Sequence, residues 1–206
     1  MRALPDGGLV VAVADGAGSA PLAAEGSALA VAAAVASVEM GLGLPDAFAV
    51  ARDALGDDDE ARAVRATTLL VAVMGDGAIE VGQVGDGFVV VQRGEHLDVA
   101  VPAPEREYIN ETTFLSSAGW EDELRFDTLD ASDVDAVALS TDGLQLVALD
   151  LAAGTPHPGF FAPLFSWAAE DPTDAELAAF LASERVAERT DDDVTLALVV
   201  RAPCST

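Results

Sequence analysis

Val10-Val11-Ala12-Val13-Ala14-Asp15-Gly16-Ala17-Gly18-Ser19 is an apolar run that ends on an acid and then turns through glycines. Leu9–Ala14 reads as a short buried strand. The alanine-rich stretch after it, with Val31, Val35 and Val38 at i, i+4 and i+7, predicts a helix over residues 22–39 that packs closely on a sheet. An acid at the end of a buried strand lies at the rim of the sheet, where its carboxylate can hold a cation. Two later segments repeat the design: Ala136–Leu139 runs into Thr141-Asp142-Gly143, and Thr190-Asp191-Asp192-Asp193 runs into the strand Val194–Arg201.

Outward from this stretch, Asp46–Leu55 predicts a second helix and Gly56–Glu60 an acidic loop. Thr67–Met74, Ala78–Val84, Phe88–Gln92 and His96–Ala100 are β-branched runs separated by a few turn residues, Gly75-Asp76-Gly77 among them. Connections this short join antiparallel neighbours. Residues 101–110 read as a loop, and Thr112–Ser116, Glu123–Thr128 and Asp135–Leu139 as further strands. A short helix is expected around Gly143–Leu151 and a longer one from Asp174 to Arg189, opened by the capping box Thr173-Asp174-Ala175-Glu176. Pro156, Pro158, Pro163 and Pro172 break up the segment between them. The last run, Val194–Arg201, is apolar on both faces and predicts a central strand. Antiparallel sheet with helices outside it is an α+β fold, here one domain over residues 1–206.

The chain has 206 residues, 51% of them hydrophobic, enough for one substantial core. It has no apolar run near the roughly 20 residues of a membrane span and no secretory leader pattern, so a cytoplasmic protein is expected. Cys204 stands alone. The 36 acids outnumber the 10 bases, all arginine, for a net charge of −26. Such a surface repels nucleic-acid phosphate and anionic lipid and attracts cations and basic proteins. Oligomeric state is not legible.

Asp-Gly occurs five times, at Asp6, Asp15, Asp76, Asp86 and Asp142, and is first of all a turn dipeptide. Asp15 and Asp142 differ from the rest in standing between an apolar strand and a helix. A dinucleotide fingerprint at Gly16-Ala17-Gly18 is excluded by Pro21 at the third glycine position and by the antiparallel pattern that follows. His96 and His157 have no metal-pair spacing and read as surface residues; Ser19, Ser27 and Ser140 lack a histidine partner. Trp120 and Trp167 read as core or loop anchors.

Asp15-Gly16-Ala17-Gly18-Ser19, Ala66-Thr67-Thr68-Leu69-Leu70, Val84-Gly85-Asp86-Gly87, Ser140-Thr141-Asp142-Gly143-Leu144 and Asp192-Asp193-Val194-Thr195 occur in this order. Together they resemble the signature blocks of the metal-dependent protein phosphatases, the protein phosphatase 2C family, and above all its bacterial branch. The resemblance implies an αββα sandwich of two antiparallel β-sheets flanked by helices. It implies a Mg²⁺- or Mn²⁺-dependent serine/threonine phosphatase in bacterial signalling, acting on phosphorylated proteins through a metal-bridging water. By matching position, Asp15 would bridge two cations, the Gly16 carbonyl would bind one, and Asp142 and Asp192 would complete the second. Asp86 matches an acid that helps bind a third, weaker metal, while Thr67 and Thr68 match a packing block.

Two departures accompany the resemblance. The Asp- and Arg-bearing block that relatives carry ahead of the first strand has no match at Arg2 or Asp6, and the first strand pair is expected to be entered part-way. Ala17 stands where some relatives have a histidine suited to protonating the leaving group. The alternatives are a catalytically impaired phosphatase-like module for metal or protein binding, and an acidic partner-binding protein without metal. Residues 108–114 fall where relatives place a variable substrate-side flap.

Overall fold

The computed structural model describes residues 1–75, 77–101, 112–190 and 192–201, apart from the side chain of Arg185. Asp76, residues 108–111 of the expected flap and Cys204 lie outside the described residues. The chain opens with β1 (Arg2–Ala3) and β2 (Leu9–Val13), followed by helices α1 (Ala23–Glu39), α2 (Leu44–Asp53) and the short α3 (Asp59–Ala63). Strands β3 (Leu69–Met74), β4 (Ala78–Val84), β5 (Phe88–Arg93) and β6 (His96–Val99) come next. A helical turn, α4 (Trp120–Glu123), precedes β7 (Arg125–Asp130) and β8 (Ala136–Ser140). A 3₁₀ turn at Asp142–Leu144 leads into α5 (Gln145–Ala148), the two-residue strands β9 (Leu149–Asp150) and β10 (Thr155–Pro156), helices α6 (Pro158–Ala168), α7 (Asp174–Leu181) and α8 (Glu184–Ala187), and finally β11 (Leu196–Val200).

Two antiparallel sheets carry the core, with strand orders β1-β2-β3-β4-β7 and β11-β8-β5-β6. The period-2 alternation of each strand decides what it faces. Val11, Val13, Leu70, Ala72 and Val81 point into the space between the sheets, against Val89, Val91, Val137 and Leu139. Their neighbours Val10, Ala12, Leu69 and Val71 face the other way, onto Ala30, Ala34 and Phe48 of α1 and α2. On the far side, Phe88, Val90, Ala136 and Ala138 meet Leu144, Phe161 and Phe165. The layers therefore run helix, sheet, sheet, helix, the αββα sandwich that the resemblance implies. Among the described residues no helix is long and apolar enough to cross a membrane.

The structure corrects several elements. Residues 112–116 form no strand: the Leu115 N–H donates to the Thr67 carbonyl at 2.8 Å and its carbonyl accepts from Arg52 at 2.6 Å, so its backbone is satisfied without a ladder. The expected strand at 123–128 begins later, at Arg125, after a helical turn. The acidic loop at 56–60 winds into α3, whose N-cap Asp58 accepts from the Ala61 N–H at 2.8 Å. The helix expected over 143–151 ends at Ala148 and becomes a strand. The one expected over 174–189 is interrupted at Ala182-Ser183.

The proline-rich segment contains a helix that its prolines conceal. Pro158 opens α6, where its missing N–H costs nothing. Pro163 lies inside α6, which holds because Phe161, Leu164 and Phe165 are buried. Finally, β11 is an edge strand hydrogen-bonded to β8 alone among the described strands. Both its faces are covered nonetheless, Ala197 and Val199 by the inter-sheet core and Leu196, Leu198 and Val200 by the helical layer.

Candidate metal centre

Antiparallel pairing brings five chain segments to one rim of the sandwich. Val13 stands opposite Leu70 and Leu69 opposite Val84, while Ser140 faces both Phe88 and Leu196. The residues just outside these positions include Asp15, Thr68, Asp86, Asp142 and Asp192.

Asp15 is fixed by its own backbone. Its N–H donates to Thr68 Oγ1 at 2.9 Å, and its carbonyl accepts from the Thr68 N–H and from Thr67 Oγ1, both at 2.8 Å. Thr67 and Thr68 are buried, as a packing block requires, and they also hold the acid in place. Gly16 forms an isolated bridge to Thr67, and a Cβ on it would lie 2.7 Å from Ala23 at the start of α1. Asp142 and Asp192 are drawn together by a threonine clasp: the Thr141 N–H donates to the Thr195 carbonyl at 3.1 Å, and the Thr195 N–H donates to Thr141 Oγ1 at 3.0 Å. A Cβ on Gly143 would lie 2.4 Å from the Asp193 carbonyl, so a side chain there would separate the two segments.

The result is a cluster. Carboxylate oxygens of Asp15, Asp142 and Asp192 all lie within 4.8 Å of one another, the one such group of acids among the described residues. Desolvation, and then the charges of Asp142, Asp192, Asp193 and Asp86, push the Asp15 carboxyl up to about 6. Desolvation, and then Asp86 and Asp192, push Asp142 up to about 6 as well, although its own and the Gly143 backbone N–H groups oppose the rise. Asp142 Oδ1 is buried with no hydrogen-bond partner. Three mutually repelling carboxylates, with Asp15 and Asp142 half-buried and Asp142 Oδ1 left without a partner, suit a hard divalent cation.

Asp86 lies close enough to bear on both acids but outside the tight group. Its turn is pinned from several sides. The Gln83 amide donates to the Gly85 carbonyl at 3.2 Å and also to that of Gly87. Arg125 donates to the Gly85 carbonyl at 2.9 Å. Gln145 donates to the Asp86 carbonyl, and Thr112 Oγ1 to its carboxylate. Sequence reading missed this network, although Gln83 left a signal: it shares a face of β4 with Ile79 and Val81, and a polar side chain at a core-facing position needs a partner.

The other candidates fall elsewhere. Arg2 pairs with Val10 across the ladder and its guanidinium meets Glu39 at 2.9 Å, while Asp6 Oδ1 accepts from the Gly8 N–H in the first turn. His96 is exposed on β6 and His157 is exposed at the N-cap of α6. Ser140 is buried and its hydroxyl donates to backbone carbonyls. Trp120 is buried in the first helical layer, with Arg52 6.0 Å from its ring centroid.

Known proteins share this arrangement of the chain. A family model described as protein phosphatase 2C matches residues 1–182. Serine/threonine-protein phosphatase 3 of Escherichia coli (strain K12) is 38% identical over 214 residues, covering 93% of this chain and 83% of that protein. Among solved structures, the catalytic domain of the serine threonine protein phosphatase PstP in complex with 2 manganese ions superposes with a TM-score of 0.64 at 19% identity, covering 92% of this chain and 85% of that one. A bacterial serine phosphatase superposes with a TM-score of 0.64 at 12% identity over 98% and 90% of the two chains. The family match spans most of the sequence and the curated relative nearly all of it, and on that ground the chain belongs to the protein phosphatase 2C family.

Proposed function

We propose that this protein, one domain over residues 1–206, removes phosphate from phosphoserine and phosphothreonine in cytoplasmic bacterial proteins, with Mg²⁺ or Mn²⁺ as its cofactor. Metal-dependent phosphatase chemistry is what its family performs. The finer reading assigns Asp15 and the Gly16 carbonyl to a first cation, Asp15, Asp142 and Asp192 to a second, and Asp86 to a third, weaker one. The observation that carries it is the meeting of three carboxylates at the rim, with Asp15 and Asp142 raised in pKa and one buried oxygen of Asp142 orphaned. When bound, such ions supply Lewis acidity that activates water and offsets phosphoryl charge.

The chain's own residues set the geometry. Asp15 is held by Thr67 and Thr68, and Asp142 and Asp192 by the threonine clasp, so the acids need little ordering when a cation arrives. Ala17 carries no proton donor, and neither histidine belongs to the acid cluster, so leaving-group protonation by a histidine has no candidate among the described residues. The catalytically impaired alternative has no observation in its favour. Hydrolysis of p-nitrophenyl phosphate and of phosphoserine, phosphothreonine and phosphotyrosine peptides with Mn²⁺ or Mg²⁺ tests the reading, with Asp15→Ala and Asp142→Ala as controls. Wild type no faster than the controls would sink it.

A further inference from the structure

Away from the acid cluster, α5, α6, α7 and α8 line an open cavity of about 740 Å³. Phe160, Trp167 and Phe180 wall it, with ring centroids 6.1 Å apart for Phe160–Phe180 and 6.4 Å for Trp167–Phe180. The polar groups on its lining are His157, Glu176 and Arg189. Glu176 is held ionised below the usual carboxylate range because the Thr173 backbone N–H and hydroxyl both donate to it. None of Asp15, Asp86, Asp142 and Asp192 lines this space.

The surroundings of the cavity are acidic. Residues 170–190 carry six acids (Glu170, Asp171, Asp174, Glu176, Glu184 and Glu188) against Arg185 and Arg189. The turn between α6 and α7 holds Asp171 at φ 57°, a left-handed conformation uncommon for a residue with a side chain, and Glu170, Asp171, Asp174 and Glu176 are all exposed. A concave aromatic wall of this size accepts a large apolar side chain. An acidic setting on a chain of net charge −26 favours a cationic visitor and disfavours an anionic one.

We propose that this cavity docks a basic segment of a partner protein, which places an aromatic or aliphatic side chain among Phe160, Trp167 and Phe180 and its cationic residues against the acids of the α6–α7 turn. The site also touches the segments that carry the cluster's acids. Val147 follows Asp142 by five residues and Arg189 precedes Asp192 by three, and both line the cavity.

The probe is a fluorescently labelled peptide of arginines and lysines around one central phenylalanine, read by anisotropy in saturating Mg²⁺. Binding is expected to saturate and to weaken with added salt. It is expected to fall at least about tenfold when the peptide's phenylalanine becomes alanine, as for a buried anchor. The same loss is expected in Ala179→Arg, which puts a cation on the exposed cavity side of α7, with Tm and p-nitrophenyl phosphate turnover unchanged. Gly159→Arg, at a position with open space around it, is the second variant should the first disturb folding. Equal binding by both variants, or by the alanine peptide, would place the probe on the acidic surface at large and overturn the proposal. So would equal binding of a peptide with glutamine for every base, which would make the cavity a site for neutral apolar ligands. The probe carries no phosphate, so the outcome is independent of whether the acid cluster hydrolyses phosphoesters.

Discussion

Asp15 and Asp142 each have a carboxyl near 6 against an ordinary 3.8, and this fixes the sign of two expected effects. A raised carboxyl pKa means that the folded chain binds the proton more tightly than the unfolded chain does. In metal-free protein these two groups therefore favour folding at low pH and oppose it as pH rises from 3.8 through about 6. Asp15→Asn removes one of the repelling charges while keeping the side chain's shape. The variant is expected to melt higher than wild type in EDTA at neutral pH. That advantage should vanish below pH 3.8 and be complete above about 6, as thermal melts of both proteins across pH would report. With Mn²⁺ the order should reverse, because the variant loses the metal-induced rise in Tm, and its phosphatase rate should fall by about 100-fold or more. Thr68→Val tests the positioning role: it leaves the Asp15 N–H without its 2.9 Å partner. It should lower stability by about 1–3 kcal/mol and raise the Mn²⁺ concentration for half-maximal rate, with Thr68→Ser close to wild type. At this scale the acids themselves were legible, because Asp15 and Asp142 each end an apolar strand and begin a helical segment. Their supports were not, since a threonine that holds the backbone beside the neighbouring strand looks like any strand threonine.

Turns between elements decide whether the acids meet. Gly143 stands where the 3₁₀ turn after β8 passes the segment leading into β11, and a Cβ there would be 2.4 Å from the Asp193 carbonyl. Backbone cannot yield as the end of a flexible side chain does, so Gly143→Ala should push the Asp192-Asp193 segment outward. A cost of about 1–3 kcal/mol is expected from the overpacking, along with weaker Mn²⁺ binding by titration calorimetry. Unchanged affinity would show that Asp192 is not held by this approach. The same scale explains which elements could be read from sequence. The strands β2, β3, β5 and β8 declare themselves because each face of each is covered, and burial is what β-branched periodicity records. That periodicity reports faces and not hydrogen-bonded neighbours, so β11, covered on both faces yet at a sheet edge, was expected to be central. Helix α6 is concealed because a proline's position decides its effect: Pro158 sits where a helix tolerates it, and burial of Phe161, Leu164 and Phe165 carries the helix past Pro163. Leu115 lent its neighbours a strand-like look, whereas it is a single buried anchor tied to Thr67 and Arg52.

Over the whole molecule, a net charge of −26 on 206 residues opposes compaction everywhere at once, while the acid cluster opposes it at one point. The two contributions separate by their response to ions. Repulsion among exposed carboxylates is a field effect that salt screens, the Debye length falling from about 10 Å at 0.1 M to about 3 Å at 1 M. Tm in EDTA should therefore climb with NaCl, and Asp15→Asn should climb in parallel, since one charge in the total hardly changes the field. A bound divalent ion acts by mass action instead. At a free concentration about 100 times its dissociation constant it adds about 2.7 kcal/mol, roughly 5–10 °C for a domain of this size. Mn²⁺ should produce that rise over NaCl of matched ionic strength in wild type and not in Asp15→Asn. A parallel response of the two proteins to Mn²⁺ would mean that the ion acts only as a counterion to the acidic surface. The family fold would then stand while the placement of its metals at Asp15, Asp142 and Asp192 would not.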